Sequence, residues 1–387
     1  MDASRFIARK LRFQGRMATV STAISFFVII IAVAISGGFR HEIRDALAGL
    51  SGDVRLTGET MNLYGESAPV SSVPSYLEKM EAVEGVESIT PAIYRAGIVK
   101  NGDIIHGVLF KGVPGDDSLS MEAVIPERLA GILKVGEGDR LLSYFIGEKI
   151  KARRFRVAKV EDSAIDDGDR LVVTVPIEDL RRLNGWEADQ ASALEVRLKD
   201  RFRARGVPTA KATELGSISM LYAREDDPVF IATSSEQQYP QIFDWLQLID
   251  TNVLAILVLM TLVAGFNMIS GLLILLFRHI GTIGILKASG MTDRAISKVF
   301  LRVSSRAILT GMAVGNALAL LFCLIQGTTH LLKLNPANYF IPFVPVSVNV
   351  PAILAADMAA WAAIMLLLTI PCLYISGIDP ADTVRVK

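Results

Sequence analysis
The chain has 387 residues, of which 51% are hydrophobic and 21% charged, and a mean hydropathy of +0.41. This mixture fits neither a simple soluble domain nor a disordered segment, and indicates apolar spans joined to a water-facing domain. The formal charge of zero conceals a split: residues 38–248 hold 26 Lys/Arg against 34 Asp/Glu, a net of −8, so the remainder carries +8. An acidic water-facing region argues against nucleic acid as a partner, which would require a basic face there.

A basic leader (Arg5, Arg9, Lys10, Arg12 and Arg16 against Asp2) precedes the first apolar run, Met17–Gly37. Three more runs follow at Val253–Phe277, Ala307–Ile325 and Val350–Ser376. Each approaches or exceeds the about 20 helical residues that a bilayer core of about 30 Å requires. Ala32-Val33-Ala34 resembles a signal-peptidase site, but the length of the run and of the leader favours a retained span.

After Gly37-Gly38, the spacing of Phe39, Ile43, Leu47 and Leu50 predicts an amphipathic helix continuing out of the first span. The region up to residue 238 reads as α+β. Strands are predicted at Asp53–Thr57, Ile104–Lys111, Phe155–Val160, Leu171–Val175 and Ala193–Leu198, with helices at Pro74–Val83 and Pro176–Leu183. The acidic run Asp162–Asp169 lacks EF-hand spacing and reads as a solvated hairpin tip. From Pro240, the stripe Ile242, Leu246, Ile249 and Val253 predicts a second amphipathic helix leading into the second span.

Short-loop charges set the expected orientation. Arg278, Lys287, Arg294, Lys298, Arg302 and Arg306 oppose only Asp293 between spans two and three, whereas the last loop has only Lys333. Both termini and the second loop are therefore expected in the cytoplasm. The expected fold is an α-helical membrane domain of four transmembrane helices, with an α+β extracytoplasmic domain inserted between the first and second spans. In residue terms, 1–50 form leader, span and stalk, 51–238 the outer domain, and 239–387 the second stalk and three spans.

No catalytic pattern emerges: there is no phosphate-binding loop, no H-E-x-x-H and no G-x-S-x-G. The four histidines are scattered, so no metal site is expected. Cys323 and Cys372 lie within predicted spans and read as packing residues. Asp357 lies about a third of the way into the fourth span and is the one candidate relay group, with snorkelling or a buried interhelical hydrogen bond as the expected roles.

The segment Phe277–Leu301 is the most specific local signal. A membrane-parallel helix is predicted over Ile280–Ser289, ending at Gly290, with Thr292 capping the next helix. Ile283, Ile285 and Leu286 are expected to be exposed there and to seek a partner groove. Ile283-Gly284-Ile285-Leu286-Lys287-Ala288-Ser289-Gly290 resembles the E-I-G-I-L-K-A-x-G coupling helix of FtsX-like/MacB-type ABC permeases, with Thr282 in place of the usual Glu. Val263–Ser270 resembles the V-A-A-F-N-I-I-S of lipoprotein-releasing permeases. Phe6–Lys10, Phe155–Ala158, Leu194–Asp200, Tyr339–Ile341, Val344–Val346 and Asp379–Arg385 extend that likeness. One permease of that two-permease system carries a protruding hook before the strand matching Phe155–Val160; here the interval Tyr144–Arg154 is short.

The resemblance implies a non-catalytic subunit of a mechanotransmitting transporter in the bacterial inner membrane, extracting lipoproteins for delivery to the outer membrane. It implies cytoplasmic ATPase subunits that bind ATP-Mg, and a second permease, identical or homologous. It leaves a soluble periplasmic lipoprotein carrier as an open further partner. Coupling to the ATPase would fall to Ile283, Gly284, Ile285, Leu286, Lys287 and Gly290. Phe39, Phe266 and Asn267 are the expected cargo contacts, because spans one and two lead directly into the outer domain. The alternatives are a MacB-like exporter of periplasmic peptides or small molecules, and an FtsX-like signalling permease controlling cell-wall hydrolases.

Overall fold
The computed structural model describes residues 16–58, 68–115, 120–147, 149–161, 171–225, 227–335, 339 and 341–373. The leader motif Phe6–Lys10, the acidic run 162–169 and the tail motif 379–385 lie outside the described residues. Four helices are long and apolar enough to cross a membrane: α1 (Arg16–Ser51), α7 (Pro240–Arg278), α9 (Asp293–Thr329) and a helical stretch over Val350–Cys372. The last consists of α10 (Val350–Leu367) and α11 (Thr369–Leu373). In chain order, every strand among the described residues falls between α1 and α7. Two compact units result: a helical one (residues 1–42, 245–335 and 342–387) and a sheet-rich one (43–244 and 336–341).

In the helical unit, Phe26, Ile29, Ile30, Met268, Leu272, Phe300 and Ile308 form a buried core. Close approach of α9 to α1 depends on Gly311 and Gly315. A Cβ at Gly311 would lie 2.9 Å from the Thr19 carbonyl oxygen, and one at Gly315 would collide with that of Ala23. This is the small-xxx-small packing favoured where lipid supplies no hydrophobic drive between helices. The long apolar faces left open on α7 (Leu254, Leu262, Phe266) and α10 (Leu354, Met358) suit contact with hydrocarbon. Asp357 is buried and accepts a 2.5 Å hydrogen bond from Asn316 of α9, the second of its two expected roles, rather than snorkelling.

The sheet-rich unit contains more strand than the sequence patterns predict. Its strands are β1 (Val54–Thr57), β2 (Val70–Ser71), β3 (Val86–Asn101), β4 (Ile104–Val113), β5 (Glu122–Pro126), β6 (Arg140–Phe145), β7 (Lys151–Glu161), β8 (Leu171–Pro176), β9 (Gln190–Ala191), β10 (Ala193–Leu198) and β11 (Ile231–Ser234). The main sheet has the order β11-β1-β10-β3-β4-β8-β5-β7-β6, and β6 pairs back onto β3. Six strands thereby close into a barrel, which removes their free edges. Phe110, Phe145 and Phe155 fill its interior, with Phe110 ring centroids 4.8 and 5.6 Å from the other two. The first half of β3 pairs with β10 and the second half with β4, so this strand serves both barrel and open sheet.

A second core lies on β1 and β10 beneath helices α2 (Leu77–Glu81) and α5 (Val207–Tyr222), with Leu56, Val196, Met80 and Leu215 buried. The helix predicted at Pro74–Val83 forms only over α2. Its first turn is diverted because the Ser75 amide donates to Asp227 at 3.0 Å and the Tyr76 hydroxyl donates to the Pro228 carbonyl. The helix predicted at Pro176–Leu183 appears as α4 (Ile177–Asn184), and Glu127–Leu133 forms α3. Within Tyr144–Arg154, β6 and β7 pair antiparallel, Tyr144 with Ala152 and Phe145 with Lys151.

Candidate coupling and cargo sites
After α7, His279 opens a short helix, α8 (Ile280–Ala288). Gly290, in the left-handed region at φ +84°, ends it. The Met291 amide donates back to the Leu286 carbonyl at 3.0 Å. Thr292 then caps α9, accepting from the Ala295 amide at 3.4 Å. Lys287 pairs with Asp293 at 3.0 Å across the turn. The helix and its boundaries therefore match the sequence expectation, but its outward face does not.

Ile283 is fully buried and Gly284 is buried beside it, while Ile285 is 62% exposed and Leu286 packs partly on the core. The surface stripe is instead Gly281, Thr282, Ile285 and Ala288, spaced at three to four residues on one side of the helix. The expectation that Ile283 is exposed is corrected. Ile283 and Ile285 are two residues apart, so helical geometry points them to different faces.

The three residues assigned to cargo do not converge. Phe39 is 7% exposed, and its ring meets Trp245 edge to face at 5.6 Å. Phe266 is 61% exposed on the outside of α7. Asn267 turns the other way, donating to Ser21 of α1 at 2.5 Å. Asn267 thus faces protein, which satisfies an amide that hydrocarbon would leave unpaired. Phe39 lies 18 positions beyond Ser21 on α1, about 27 Å along the axis at 1.5 Å per residue. Phe39 and Asn267 therefore lie at different levels of the helical unit. Near Phe39, Ser36 donates to Asp250 at 2.7 Å and Arg40 pairs with the same carboxylate at 3.5 Å. Gly38 lets the Pro345–Val346 backbone pass where a Cβ would collide, and the Ser347 amide donates to the Ala34 carbonyl at 3.0 Å.

Sequence reasoning missed a polar clasp inside the sheet-rich unit. The last turns of α1, Ile43–Ser51, end at Gly52 (φ +71°). Lys111 Nζ donates to the Gly49 and Leu50 carbonyls at 3.0 and 2.8 Å and pairs with Glu195 Oε2 at 2.9 Å. A cation at a helix C-terminus satisfies orphan carbonyls and complements the dipole. The Tyr94 hydroxyl donates to Glu195 Oε1 and accepts from Arg55 at 2.9 Å. Arg203 bridges Asp45 of α1 at 2.6 Å and Asp53 at 3.0 Å, and the Asp53 carbonyl accepts from the Ser235 amide at 2.9 Å. Burial draws Lys111 below its ordinary value despite the opposing pull of Glu195, and burial raises Tyr94 and Asp53. One signal for this clasp was present: Lys111 interrupts the otherwise apolar run Val108–Val113.

Among the described residues no group of three His, Cys, Asp or Glu gathers as a metal site. What the geometry offers is a short surface helix with one apolar stripe, and a long helix whose far end is locked to a sheet. Residues 254–380, which contain that surface helix, match the FtsX-like permease C-terminal family. This stretch, about a third of the chain, is an FtsX-like permease C-terminal domain. The chain is similar to the lipoprotein-releasing system transmembrane protein LolC of Xylella fastidiosa (strain Temecula1), 21% identical over 97% of this chain and 94% of that one. Against LolE of Haemophilus influenzae the identity is 22%, over 95% and 93%. Among solved structures, the periplasmic region of MacB from Actinobacillus actinomycetemcomitans is similar over 49% of this chain and 92% of that one, at 14% identity and TM-score 0.31. The recognition of an FtsX-like permease from its coupling-helix and span motifs is borne out. With four helices among the described residues long and apolar enough to cross a membrane, the chain is a multi-pass membrane protein.

Proposed function
We propose that the chain is a permease subunit of a mechanotransmitting ABC transporter that extracts lipoproteins from the bacterial inner membrane. The observation that carries this reading is the similarity to lipoprotein-releasing transmembrane proteins over nearly the whole chain, helices and sheet-rich unit together. In this reading both termini and α8 are cytoplasmic, and residues 51–238 face the periplasm between spans one and two. ATP-Mg is bound by a separate ATPase, which receives the stripe centred on Ile285. Leu286 and Lys287 flank that stripe, Gly290 ends its helix, and Ile283 and Gly284 anchor it to the core.

ATPase closure moves α8, and the motion passes through α7 and α9 to a second permease and the lipid-anchored cargo. The energy requirement is substantial, since each buried acyl CH₂ contributes about 0.8 kcal/mol of anchoring. Phe266 is the cargo contact that remains open on α7, while Phe39 becomes available only if its Trp245 contact opens during the cycle. Depletion of the chain in its host tests the reading. Lipoproteins destined for the outer membrane then accumulate in the inner membrane; unchanged lipoprotein sorting would contradict it and favour a peptide exporter or a signalling permease.

A further inference from the structure
A cleft of about 430 Å³ opens on the outside of the six-stranded barrel, within the size range of small-molecule sites. Arg140, Arg154 and Arg156 line it, together with Ser120, Met121 and Glu122. The strand register explains why the three arginines share one face. Leu141, Phe155 and Val157 point into the barrel core, so their neighbours Arg140, Arg154 and Arg156 point out. Arg140 is the direct cross-strand partner of Arg156, and Arg154 is opposite Leu142, two residues along. Like charges directly opposite on adjacent strands are destabilising. Among the described residues, Arg156 is the one of the three paired with a carboxylate, that of Glu122. The Arg140 and Arg154 guanidiniums make no hydrogen bond or ion pair with any described residue.

The rim is rigid and strained. Met121 holds φ +63°, which a non-glycine residue adopts rarely and which concentrates at functional sites. Asp179 fixes this corner by accepting from the Met121 amide at 2.7 Å and the Ser120 hydroxyl at 3.1 Å. Arg182, itself paired with Asp179 at 2.8 Å, braces the corner by donating to Ser120 at 2.9 Å. The Arg156 amide ties the corner to β7 through the Met121 carbonyl at 2.8 Å. A concentrated positive site is therefore built into a region whose net charge is −8.

We infer that this cleft binds a phosphate-ester anion. Two guanidiniums with no side-chain partner among the described residues provide fork-shaped donors that match phosphate oxygens bidentately. The cleft is larger than a bare phosphate ion, and the half-buried Met121 side chain offers an apolar wall to an ester carbon. The inference does not rest on the lipoprotein reading; the site belongs to the barrel alone.

The test uses the purified full-length chain in a non-ionic detergent, with calorimetric titration at constant ionic strength. The probes are inorganic phosphate, glycerol 3-phosphate and dihexanoyl phosphatidylglycerol, with a polyglutamate peptide for comparison. The wild type is expected to bind the phosphate esters, and R140A/R154A to bind them more than about tenfold more weakly, as loss of two charge-assisted contacts requires. R140K/R154K, which keeps the charge and loses the fork, should fall between. Tighter binding of the phosphatidylglycerol than of glycerol 3-phosphate identifies a lipid headgroup as the source; the reverse identifies a free phosphate ester. Equal ester binding by wild type and a folded R140A/R154A overturns the inference. Arginine-dependent binding of polyglutamate without ester binding also overturns it and reassigns the cleft to a protein partner.

Discussion
Lys111 and Glu195 form a buried ion pair at 2.9 Å directly beneath the last carbonyls of α1. Lys111 thus holds a helix end and a sheet together through one ammonium group. Removing one member of a buried pair leaves an unpaired charge, at a cost of about 3–5 kcal/mol. Lys111→Met is expected to lower the thermal midpoint of the full chain in detergent strongly. The double variant K111M/E195L should recover most of that loss, since no orphan charge remains.

The same lysine gives a pH signature. Burial holds Lys111 below its ordinary 10.5, so the unfolded chain binds this proton more tightly than the folded one. Stability from this group therefore rises with pH between the folded value and 10.5, and is level below that window. The difference in unfolding free energy between wild type and K111M should widen in the wild type's favour on the alkaline side. A difference that narrows there would show that Lys111 does not titrate as a buried base.

Opposite roles are expected for two isoleucines in one short helix. Ile285→Asp should abolish co-purification of an ATPase subunit while the chain still inserts and melts normally, because Ile285 is 62% exposed. Ile283→Asp should instead reduce the yield and melting temperature of the chain, because Ile283 is fully buried. Reversed outcomes would place the docking stripe on the other face.

Packing of α9 on α1 depends on the absence of a side chain at residue 315. Gly315→Leu is expected to lower helical-unit stability by about 1–3 kcal/mol or more, the range for overpacking. Gly281→Ala meets nothing within 4 Å and serves as a neutral control. Comparing the melting of the two variants in detergent checks this.

Orientation is tested at Asp103, in the exposed turn between β3 and β4. A cysteine placed there should react with an impermeant thiol reagent in intact spheroplasts, while Cys323 and Cys372, both buried, stay silent. Labelling only after membrane disruption would reverse the proposed topology.

Much of this architecture was legible because hydrophobic run length reports membrane helices directly, and Gly290 and Thr292 are strong boundary signals. Ala193–Leu198 was read to the residue, since its alternation is bounded by turn chemistry on both sides. The 16-residue β3 escaped because Pro91, Gly97 and scattered polar residues break its period as it passes from open sheet to barrel. Helix α5 escaped because its small and polar residues give no apolar stripe. Within the candidate sites, Ile283 and Ile285 look alike as sequence; only the helix phase set by packing on the core separates them. The Lys111 clasp joins residues 84 positions apart, a pairing that no local pattern announces.

The central claim is that ATP-driven force delivered at Ile285 releases a lipid-anchored protein. Its most direct test is a reconstituted assay: proteoliposomes containing the chain, its partner permease and ATPase, and a fluorescent triacylated lipoprotein. Lipoprotein release is expected to require ATP and to be lost in Ile285→Asp under conditions where the ATPase alone still hydrolyses ATP. Full activity of the complex on ATP with no lipoprotein leaving the membrane, or release unaffected by Ile285→Asp, would contradict it.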